Sequence, residues 1–269
     1  MITSDRNPSI KYVKRLLLSR RFRQNENAYV VEGDRWLDEI IQHGLQPDQL
    51  FISGRWHESP VNQQRLDSLT APRKVVSDGV MANMSDTETP PGVLAVLPMA
   101  NLPIPDNPTL LLILDRVANP GNLGAILRTA AAAGVDAVFL APGCVDQHNP
   151  KVVRGSMGAI LRLPIARRSW PEIEGDLVHL NAWLASADAD TRHVQVDWRQ
   201  PSALIIGSEA QGAGLEAHRL AKSISIPMSQ GNESLNAAVA AGIILFEAVR
   251  QRSETTHISA DAGSLDQKG

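Results

Sequence analysis

The sequence predicts an α/β fold arranged as two domains, and three observations support this. Short apolar runs typical of strands alternate with segments of helical periodicity along most of the 269 residues. The run Leu110–Leu114 is entirely apolar, as expected for a strand buried on both faces of a parallel sheet. Residues 99–108 are rich in proline and follow neither periodicity. We therefore expect a small α/β/α domain over residues 1–98, a linker over residues 99–108 and a larger, mostly parallel α/β domain over residues 109–250.

The first domain begins with a predicted amphipathic helix. Pro8 suits the first turn of a helix, and Val13 and Leu16 follow at helical spacing with basic residues between them. A helix closed by Gly44 follows the first strand. Strands are predicted at residues 29–31, 50–52, 74–76 and 93–97, and helices at residues 36–41 and near Leu66.

The second domain continues the alternation of strands and helices. Its first helix is predicted over residues 122–133, because this stretch is rich in alanine and Gly134 ends it. A last helix is predicted over residues 235–249, and the polar residues 251–269 are expected to form a disordered tail. Strands of a largely parallel sheet are predicted at residues 110–114, 137–140, 182–185, 203–206 and 224–226.

Composition excludes several classes of protein. The chain is 43% hydrophobic and 20% charged, which is typical of a globular protein with one or two cores. No apolar run approaches the roughly 20 residues of a membrane span, and the charged N-terminus does not resemble a signal peptide, so we expect a cytoplasmic protein without a membrane partner. The only cysteine, Cys144, excludes an intrachain disulfide and a cysteine-rich zinc site. We expect it to be a small buried or loop residue.

Positive charge is clustered although the formal net charge is −3. Residues 1–25 contain seven Lys or Arg side chains against one acid, Asp5. A second basic run extends from Lys151 to Arg168. Such runs are often only solvated surface, but Lys and Arg also provide the sequence-independent part of RNA affinity, so both runs are candidate phosphate contacts.

Three short islands in the C-terminal half are the main candidates for a functional site. They cover residues 119–130 (NPGNLGAILRTA), residues 205–209 (IIGSE), and residues 226–228 (IPM) leading to residues 233–236 (ESLN). Each places Gly, Asn, Ser or Glu where an apolar run stops. In α/β enzymes, ligands bind where strands end and helices begin, so we expect the islands to meet at one site.

Each island also has a purely structural interpretation. The first could be a glycine-rich helix start with a surface arginine, and Ser234 in the third could simply cap a helix. Residues 212–217 (GAGLEA) fit the loose dinucleotide-binding pattern, which would indicate a nicotinamide-dependent oxidoreductase. That pattern starts well after the strand end, however, and no acidic residue follows at a second strand tip about 20 residues on.

Together, the three islands closely resemble the motifs of the SpoU/TrmH family of S-adenosylmethionine-dependent RNA ribose 2'-O-methyltransferases, which belong to the SPOUT class. The resemblance covers roughly residues 110–250. The first hundred residues are similar to the L30e-like substrate-binding domain that often precedes the catalytic domain. For the second domain the resemblance implies a trefoil knot that forms the cofactor pocket, where the sequence pattern alone would predict a plain doubly wound sheet.

The resemblance also implies roles for particular residues. The residues implied in catalysis are Arg128, Asn122, Glu209, Ser234 and Asn236. Those implied in S-adenosylmethionine binding are Gly207, Gly212, Ile226, Met228 and Leu235. A further stretch, residues 149–158 (NPKVVRGSMG), resembles another part of these enzymes. Beside such motifs, RNA contact becomes the favoured role of the basic residues Lys11, Lys14, Arg15, Arg21, Lys151 and Arg154.

The role of Arg128 can be narrowed by its chemistry. A guanidinium stays protonated near neutrality and is a poor base, so we expect electrostatic stabilisation of the attacking ribose oxygen rather than proton removal. Asn119 stands where many relatives have Asp, which weakens any carboxylate role at that position only. None of the seven histidines lies in the islands, so a metal site or a histidine-based triad has no support.

Two classes of function follow from these observations. The first is an enzyme that methylates a ribose 2'-hydroxyl in structured RNA, with 23S ribosomal RNA favoured over transfer RNA because of the L30e-like first domain. The second is a noncatalytic RNA-binding protein with the same fold, against which the intact polar residues of the islands argue. The family resemblance further implies a homodimer whose active site uses both protomers. The sequence does not identify the methylated nucleotide.

Overall fold

The computed structural model describes residues 1–209, 211–229 and 234–262, with side chains as far as residue 254. These residues form two compact units. The first unit contains Met1–Ala100 together with Asp146–Leu161, and the second contains Asn101–Val145 and the chain from Arg162 onward. In the described part of the chain, no helix is long and apolar enough to cross a membrane.

Ten elements precede the boundary between the units. They are α1 (Pro8–Leu18), α2 (Arg20–Glu26), β1 (Ala28–Glu32), α3 (Asp34–Gln42), β2 (Gln49–Ser53), α4 (Gly54–His57), α5 (Pro60–Asp67), β3 (Arg73–Val76), α6 (Asp78–Met84) and β4 (Val93–Pro98). The strands form one sheet in the order β1-β4-β2-β3, in which only the pair β2 and β3 is parallel.

The first unit is a three-layer α/β/α structure, as predicted. One face of its sheet packs against a core that includes Leu37 and Ile40 of α3, and the opposite face packs against Ile10 and Val13 of α1. The side chain of Asn7 caps α1 by accepting a hydrogen bond from the backbone N–H of Ser9, at 2.9 Å. The three helices α2, α4 and α6 were not predicted, since each is only one or two turns long.

A buried ion pair joins α2 to the later segment of the first unit. Arg23 is 3% exposed and donates from Nε and Nη2 to Asp146 Oδ2, at 3.0 and 2.6 Å. Its Nη1 donates to the carbonyl oxygen of Leu16 at 2.6 Å. Arg23 therefore belongs to the core, although it lies in the basic N-terminal run that the sequence presents as surface.

We expect Arg23→Ala to lower the free energy of unfolding by about 3–5 kcal/mol, because it leaves the buried carboxylate of Asp146 without its charged partner. Urea unfolding of this variant and of Arg20→Ala measures the effect, since Arg20 is an exposed arginine on the same helix. Adding Asp146→Asn should recover part of the loss. A loss equal to that of Arg20→Ala would contradict the ion-pair explanation.

The rest of the chain contributes the elements of a second sheet and one helix of the first unit. They are β5 (Leu110–Leu114), α7 (Pro120–Ala132), β6 (Ala137–Leu140), α8 (Pro150–Ser156), β7 (Ile165–Arg167), α9 (Trp170–Asp176), β8 (Asn181–Ala185), β9 (Ser202–Ile206), α10 (Leu215–Leu220), β10 (Lys222–Ile224) and α11 (Ala237–Ala262). All neighbouring strands of this sheet pair in parallel, in the order β10-β8-β9-β5-β6-β7. The predicted parallel sheet is confirmed, and β5 is buried along its whole length.

The domain boundaries differ from the prediction in one segment. Residues 109–250 were expected to form a single domain, but Asp146–Leu161 belongs to the first unit. The reason is that Val153 of α8 is part of the core beside β1, and Arg154 pairs with Asp86 and Glu32. The predicted linker region contains neither helix nor strand between β4 and β5.

The last helix extends beyond its predicted end. Residues 251–269 were expected to be a disordered tail, but α11 continues to Ala262, and residues 263–269 lie outside the described part. Polar side chains hold this extension in the second unit. Gln251 donates to the carbonyl oxygen of Val196 at 3.0 Å, and Arg252 donates to that of Thr109 at 2.6 Å. Polar composition therefore misled the prediction, because these side chains satisfy backbone groups.

Candidate functional site

The three islands meet at the carboxyl edge of the second sheet. β5 and β9 are adjacent and parallel, so they end at the same edge. After β5 the chain proceeds to β6 on one side, whereas β8 and β10 lie on the other side, beyond β9. The direction of winding thus reverses between β5 and β9, which is where open α/β sheets bind ligands.

The loop after β9 folds back closely on the end of its strand. The backbone N–H of Ser208 donates to the carbonyl oxygen of Gly212 at 3.0 Å, and its Oγ accepts from the backbone N–H of Gln211 at 3.1 Å. A Cβ atom built on Gly207 would lie 2.5 Å from the backbone nitrogen of Ala213. Only glycine therefore fits at position 207 without displacing backbone.

A buried carboxylate at the end of β5 holds the same loop. Asp115 is 1% exposed, and its Oδ2 accepts a hydrogen bond from the backbone N–H of Gly214 at 2.6 Å. Asp115 was not among the predicted site residues, although an acid directly after an apolar strand is a usable signal for a residue at a ligand-binding edge. Nearby, burial raises the pKa of the Cys144 thiol to about 11, so it stays protonated near neutrality. Cys144 is buried, which agrees with the expectation of a small buried or loop residue.

Side chains from all three islands form one hydrogen-bonded cluster. Glu209 Oε1 accepts from Asn122 Nδ2 at 2.6 Å, from Asn236 Nδ2, and from the backbone N–H of Ala237 at 3.0 Å. Asn236 Nδ2 also donates to Asn122 Oδ1, at 3.1 Å. The cluster joins the start of α7, the loop after β9 and the start of α11. It fixes one carboxylate oxygen and orients two amide groups.

Helix capping explains the positions of these residues. Asn119 caps α7, because its Oδ1 accepts from the backbone N–H groups of Gly121 and Asn122 at 2.8 and 3.3 Å. Asn236 caps α11 by accepting from the N–H of Ala238 at 2.9 Å. The structural alternative in which Ser234 caps the last helix is therefore wrong. Asn can replace Asp at position 119 because capping needs only an acceptor oxygen.

A cavity of about 310 Å³ opens beside the cluster. All five residues expected to bind the cofactor line it, together with Glu209 and Ser234. Apolar side chains from β10 and its following loop form one wall, and the backbone of the glycine-containing loop after β9 forms another. The cofactor candidates in this lining are Gly207, Gly212, Ile226, Met228 and Leu235. Glu233, which the third island includes, lies outside the described residues.

Part of this lining was not predicted from the sequence. Ser186 and Asp188 follow β8 and contribute polar groups, and His218 of α10 lies on another wall. The strand β8 was predicted, so its carboxyl end could have indicated the loop at residues 186–188. No sequence signal placed His218 here, because α10 is a short helix that was not predicted.

Arg128 is not part of this cluster within the chain. It lies on α7 with its side chain exposed, and it lines neither the cavity described above nor the one beside it. Among the residues that the structure describes, none forms a hydrogen bond or ion pair with its guanidinium. The structure thus brings Asn122, Glu209 and Asn236 together, whereas the side chain of Arg128 is exposed on the surface of the chain.

The basic residues expected to contact RNA differ in their availability. On the first unit Lys11, Arg15 and Arg21 are exposed and Lys14 is half-buried, and the Arg15 guanidinium lies 3.8 Å from the centroid of the Phe22 ring. Lys151 is exposed as well.

The remaining basic residues of the second run are engaged within the protein. Arg154 is bound to Asp86. In the second unit, Arg167 donates to the carbonyl oxygen of Val145 at 2.6 Å, and Arg168 lies 3.6 Å from Asp176. The second basic run therefore offers less free charge than its sequence suggests.

The fold and the site define an α/β protein with a ligand cavity at the switch point of a parallel sheet, preceded by a separate α/β/α unit. The family model for the SpoU rRNA methylases matches residues 109–246, and the model of the MRM3-like substrate-binding domain matches residues 7–95. The chain belongs to the SpoU rRNA methylase family, which confirms the family that the islands indicated.

Individual relatives match over almost the whole chain. An uncharacterised tRNA/rRNA methyltransferase of Synechocystis is 35% identical, over 93% of this chain and 94% of its own. The 23S rRNA (uridine(2479)-2'-O)-methyltransferase of Streptomyces viridochromogenes is 31% identical, over 93% of this chain and 92% of its own. The crystal structure of the SpoU methyltransferase AviRb of the same species, in complex with AdoMet, covers 92% of this chain and 98% of its own, with 30% identity and a TM-score of 0.85.

Proposed function

We propose that this protein transfers a methyl group from S-adenosylmethionine to a ribose 2'-hydroxyl of 23S ribosomal RNA. The observation that carries the proposal is the cluster of Asn122, Glu209 and Asn236 at the mouth of the cavity, in a chain of the SpoU rRNA methylase family. The cluster provides oriented acceptors and donors where a hydroxyl group of the substrate would approach a cofactor in the cavity.

The cavity suits S-adenosylmethionine in its chemistry. Ile226, Met228 and Leu235 provide apolar contacts for an adenine ring, and Ser186 and Asp188 provide polar groups for hydroxyl or amino groups. At Gly207 the chain passes so close to residues 212 and 213 that a side chain would fill the space. AviRb, which is similar along almost the whole chain, binds AdoMet.

The residues of the cluster have complementary tasks in the proposed reaction. S-adenosylmethionine supplies a methyl group that its sulfonium already activates. Glu209 Oε1 is held by three donors, and among the described residues nothing donates to Oε2, which can accept a hydrogen bond from the ribose 2'-hydroxyl. Asn122 and Asn236 keep this carboxylate in place. Arg128 stabilises the negative charge that develops on the attacking oxygen.

We infer that Arg128 acts on the site of a second protomer in a homodimer. Exposed apolar residues at positions 239, 243 and 246 form a stripe on α11, which packs against α7. A Cβ atom built on Gly242 would lie 3.7 Å from Thr129, so the two helices meet next to Arg128. An exposed apolar stripe of this kind on a protein surface is typical of a subunit interface.

Phe246→Glu tests the dimer. Phe246 is 49% exposed and lies in the stripe, so a carboxylate there should prevent association, and both the dimer and methyl transfer should be lost. Light scattering at micromolar concentration and a methyl-transfer assay measure the two effects. Val178→Glu is the matched control, since Val178 is an exposed apolar residue outside the stripe. A Phe246→Glu dimer with full activity would argue against this interface.

The trefoil knot implied by the family remains a proposal. We infer from the family that the chain around β9 and β10 is knotted. RNA recognition by the first unit is supported by Lys11, Arg15 and Arg21, whose side chains are exposed.

We place the reaction in the cytoplasm, where ribosomal RNA would be available as the substrate. The free thiol of Cys144 is compatible with this reducing compartment.

Methyl transfer from labelled S-adenosylmethionine to unmodified 23S ribosomal RNA and transfer RNA, in parallel, tests the function. We expect label in ribosomal RNA at an alkali-resistant, 2'-O-methylated linkage. Label in transfer RNA alone would reassign the substrate. Cofactor binding without label in either RNA would favour the noncatalytic alternative, and binding of a nicotinamide nucleotide instead would favour the oxidoreductase.

A further inference from the structure

A second arginine, Arg116, has an unusual backbone conformation at the candidate site. It follows Asp115 directly after β5, with a φ of 57°. Among the described residues only Asn27 and Met157 share a positive φ without being glycine, and both end helices. Long side chains rarely adopt this conformation, and such outliers concentrate at functional sites. The backbone conformation of Arg116 therefore indicates that its side chain has a role at this site.

The neighbouring loop leaves space for the stem of Arg116. A Cβ atom built on Gly143 would lie 2.7 Å from Cγ of Arg116. Gly143 itself has a φ of 90°, so this position favours glycine twice over. The first atoms of the Arg116 side chain therefore pack directly against Gly143, beside the end of β5.

The guanidinium has donors to spare. Its Nη2 donates to the carbonyl oxygen of Gly212 at 3.3 Å, and its Nε lies 3.6 Å from Asp115 Oδ1. Nε is buried and makes no hydrogen bond to any described residue. The side chain is 35% exposed. A guanidinium has five N–H donors, so most of those of Arg116 are available to a ligand.

These donors border a second cavity of about 460 Å³. It adjoins the cofactor cavity, because Ser208, Glu209 and Ala237 line both. Asn122 lines only the second cavity. Of the described residues in this lining, Arg116 is the one cation and Glu209 the one anion. In this cavity the positively charged guanidinium of Arg116 therefore lies beside the cluster that would hold the ribose hydroxyl.

We propose that Arg116 binds a phosphate of the RNA backbone next to the target ribose, in this second cavity. The proposal rests on the proposed function, since it assigns the cavity to the target nucleotide. A planar guanidinium with two free N–H groups matches the oxygens of a phosphate diester. Glu209 would then meet the 2'-hydroxyl while Arg116 fixes the adjacent phosphate, so the nucleotide is held at two points.

Arg116→Asn tests this role, because asparagine tolerates a positive φ and removes the cation. The experiment measures binding of unmodified 23S ribosomal RNA to the full-length protein saturated with S-adenosylhomocysteine, over a series of potassium chloride concentrations. We expect RNA affinity to fall about tenfold and the slope of log K against log salt to decrease by about one, with unchanged S-adenosylmethionine affinity. Arg116→Lys should retain the slope.

Arg199→Asn is the control, since Arg199 is an exposed arginine paired with Asp197 and lies outside both cavities. It should leave the slope unchanged. If Arg116 only anchors the loop at Gly212, Arg116→Asn will weaken S-adenosylmethionine binding and keep the wild-type slope, which would overturn the proposal. Methyl transfer by the wild type, measured on the same protein and RNA preparations with S-adenosylmethionine in place of S-adenosylhomocysteine, reports on the proposed function separately.

Discussion

Arg128→Ala is expected to lower the turnover of methyl transfer by about 10²- to 10³-fold while S-adenosylmethionine binds as before. The reason is that the guanidinium would stabilise charge only while the ribose oxygen attacks, and loss of one such donor typically has an effect of this size. Arg128 is exposed and lies outside the cofactor cavity, so cofactor affinity should not depend on it. Single-turnover kinetics and calorimetric titration of the cofactor separate the two quantities.

Arg128→Lys serves as the matched variant, because it keeps the charge and removes the planar fork. We expect it to lose much of the rate as well, since a point charge cannot replace bidentate contacts. Near-normal turnover of Arg128→Lys would contradict the role assigned to the guanidinium.

Mixed dimers decide which protomer uses Arg128. If Arg128 serves the site of the partner, each mixed dimer of Arg128→Ala with Asn122→Ala has one intact site of two, so purified mixed dimers should show about half of the wild-type activity. Each variant alone should remain inactive. No recovery in purified mixed dimers would place Asn122 and Arg128 in the same site of one protomer.

Gly207→Ala is expected to weaken S-adenosylmethionine binding by about 10- to 100-fold. The added Cβ would lie 2.5 Å from the backbone nitrogen of Ala213 and 2.6 Å from the carbonyl carbon of Gly212. These neighbouring atoms belong to the backbone and cannot avoid the added Cβ by a change of rotamer, so the loop itself must move. Because that loop forms a wall of the cofactor cavity, the cavity changes shape. Calorimetric titration measures the affinity, and thermal unfolding with and without cofactor confirms that the variant folds.

Gly175→Ala is the control for Gly207→Ala. Gly175 lies in α9, and a Cβ atom built there has no neighbour within 4 Å. This variant should bind the cofactor normally and gain up to about 1 kcal/mol of stability from helix propensity. Equal cofactor affinity in the two variants would show that the close approach at Gly207 does not shape the cavity.

Local sequence signals predicted the central framework accurately. The strands β5, β6, β8 and β9 were located within one residue, because apolar runs that stop at polar residues are typical of a buried parallel sheet. Short elements were missed. The strand β7 has three half-buried residues and ends in Arg167, so it lacks the pattern of a strand. The ends of the last helix were also misjudged, since Asn236 caps it and Gln251 supports its extension.

The sequence by itself determined the fold class, the islands and the family, because each depends on residue order along short stretches of chain. Only the tertiary structure decided how distant residues are used. It buried Arg23 against Asp146, drew Asn122, Glu209 and Asn236 together and left Arg128 exposed. The sequence does not show whether a charged side chain is solvated or forms an ion pair. Its partner depends on packing between segments that are distant in the sequence, such as those of Arg23 and Asp146, which are 123 residues apart, and no local pattern records such a contact.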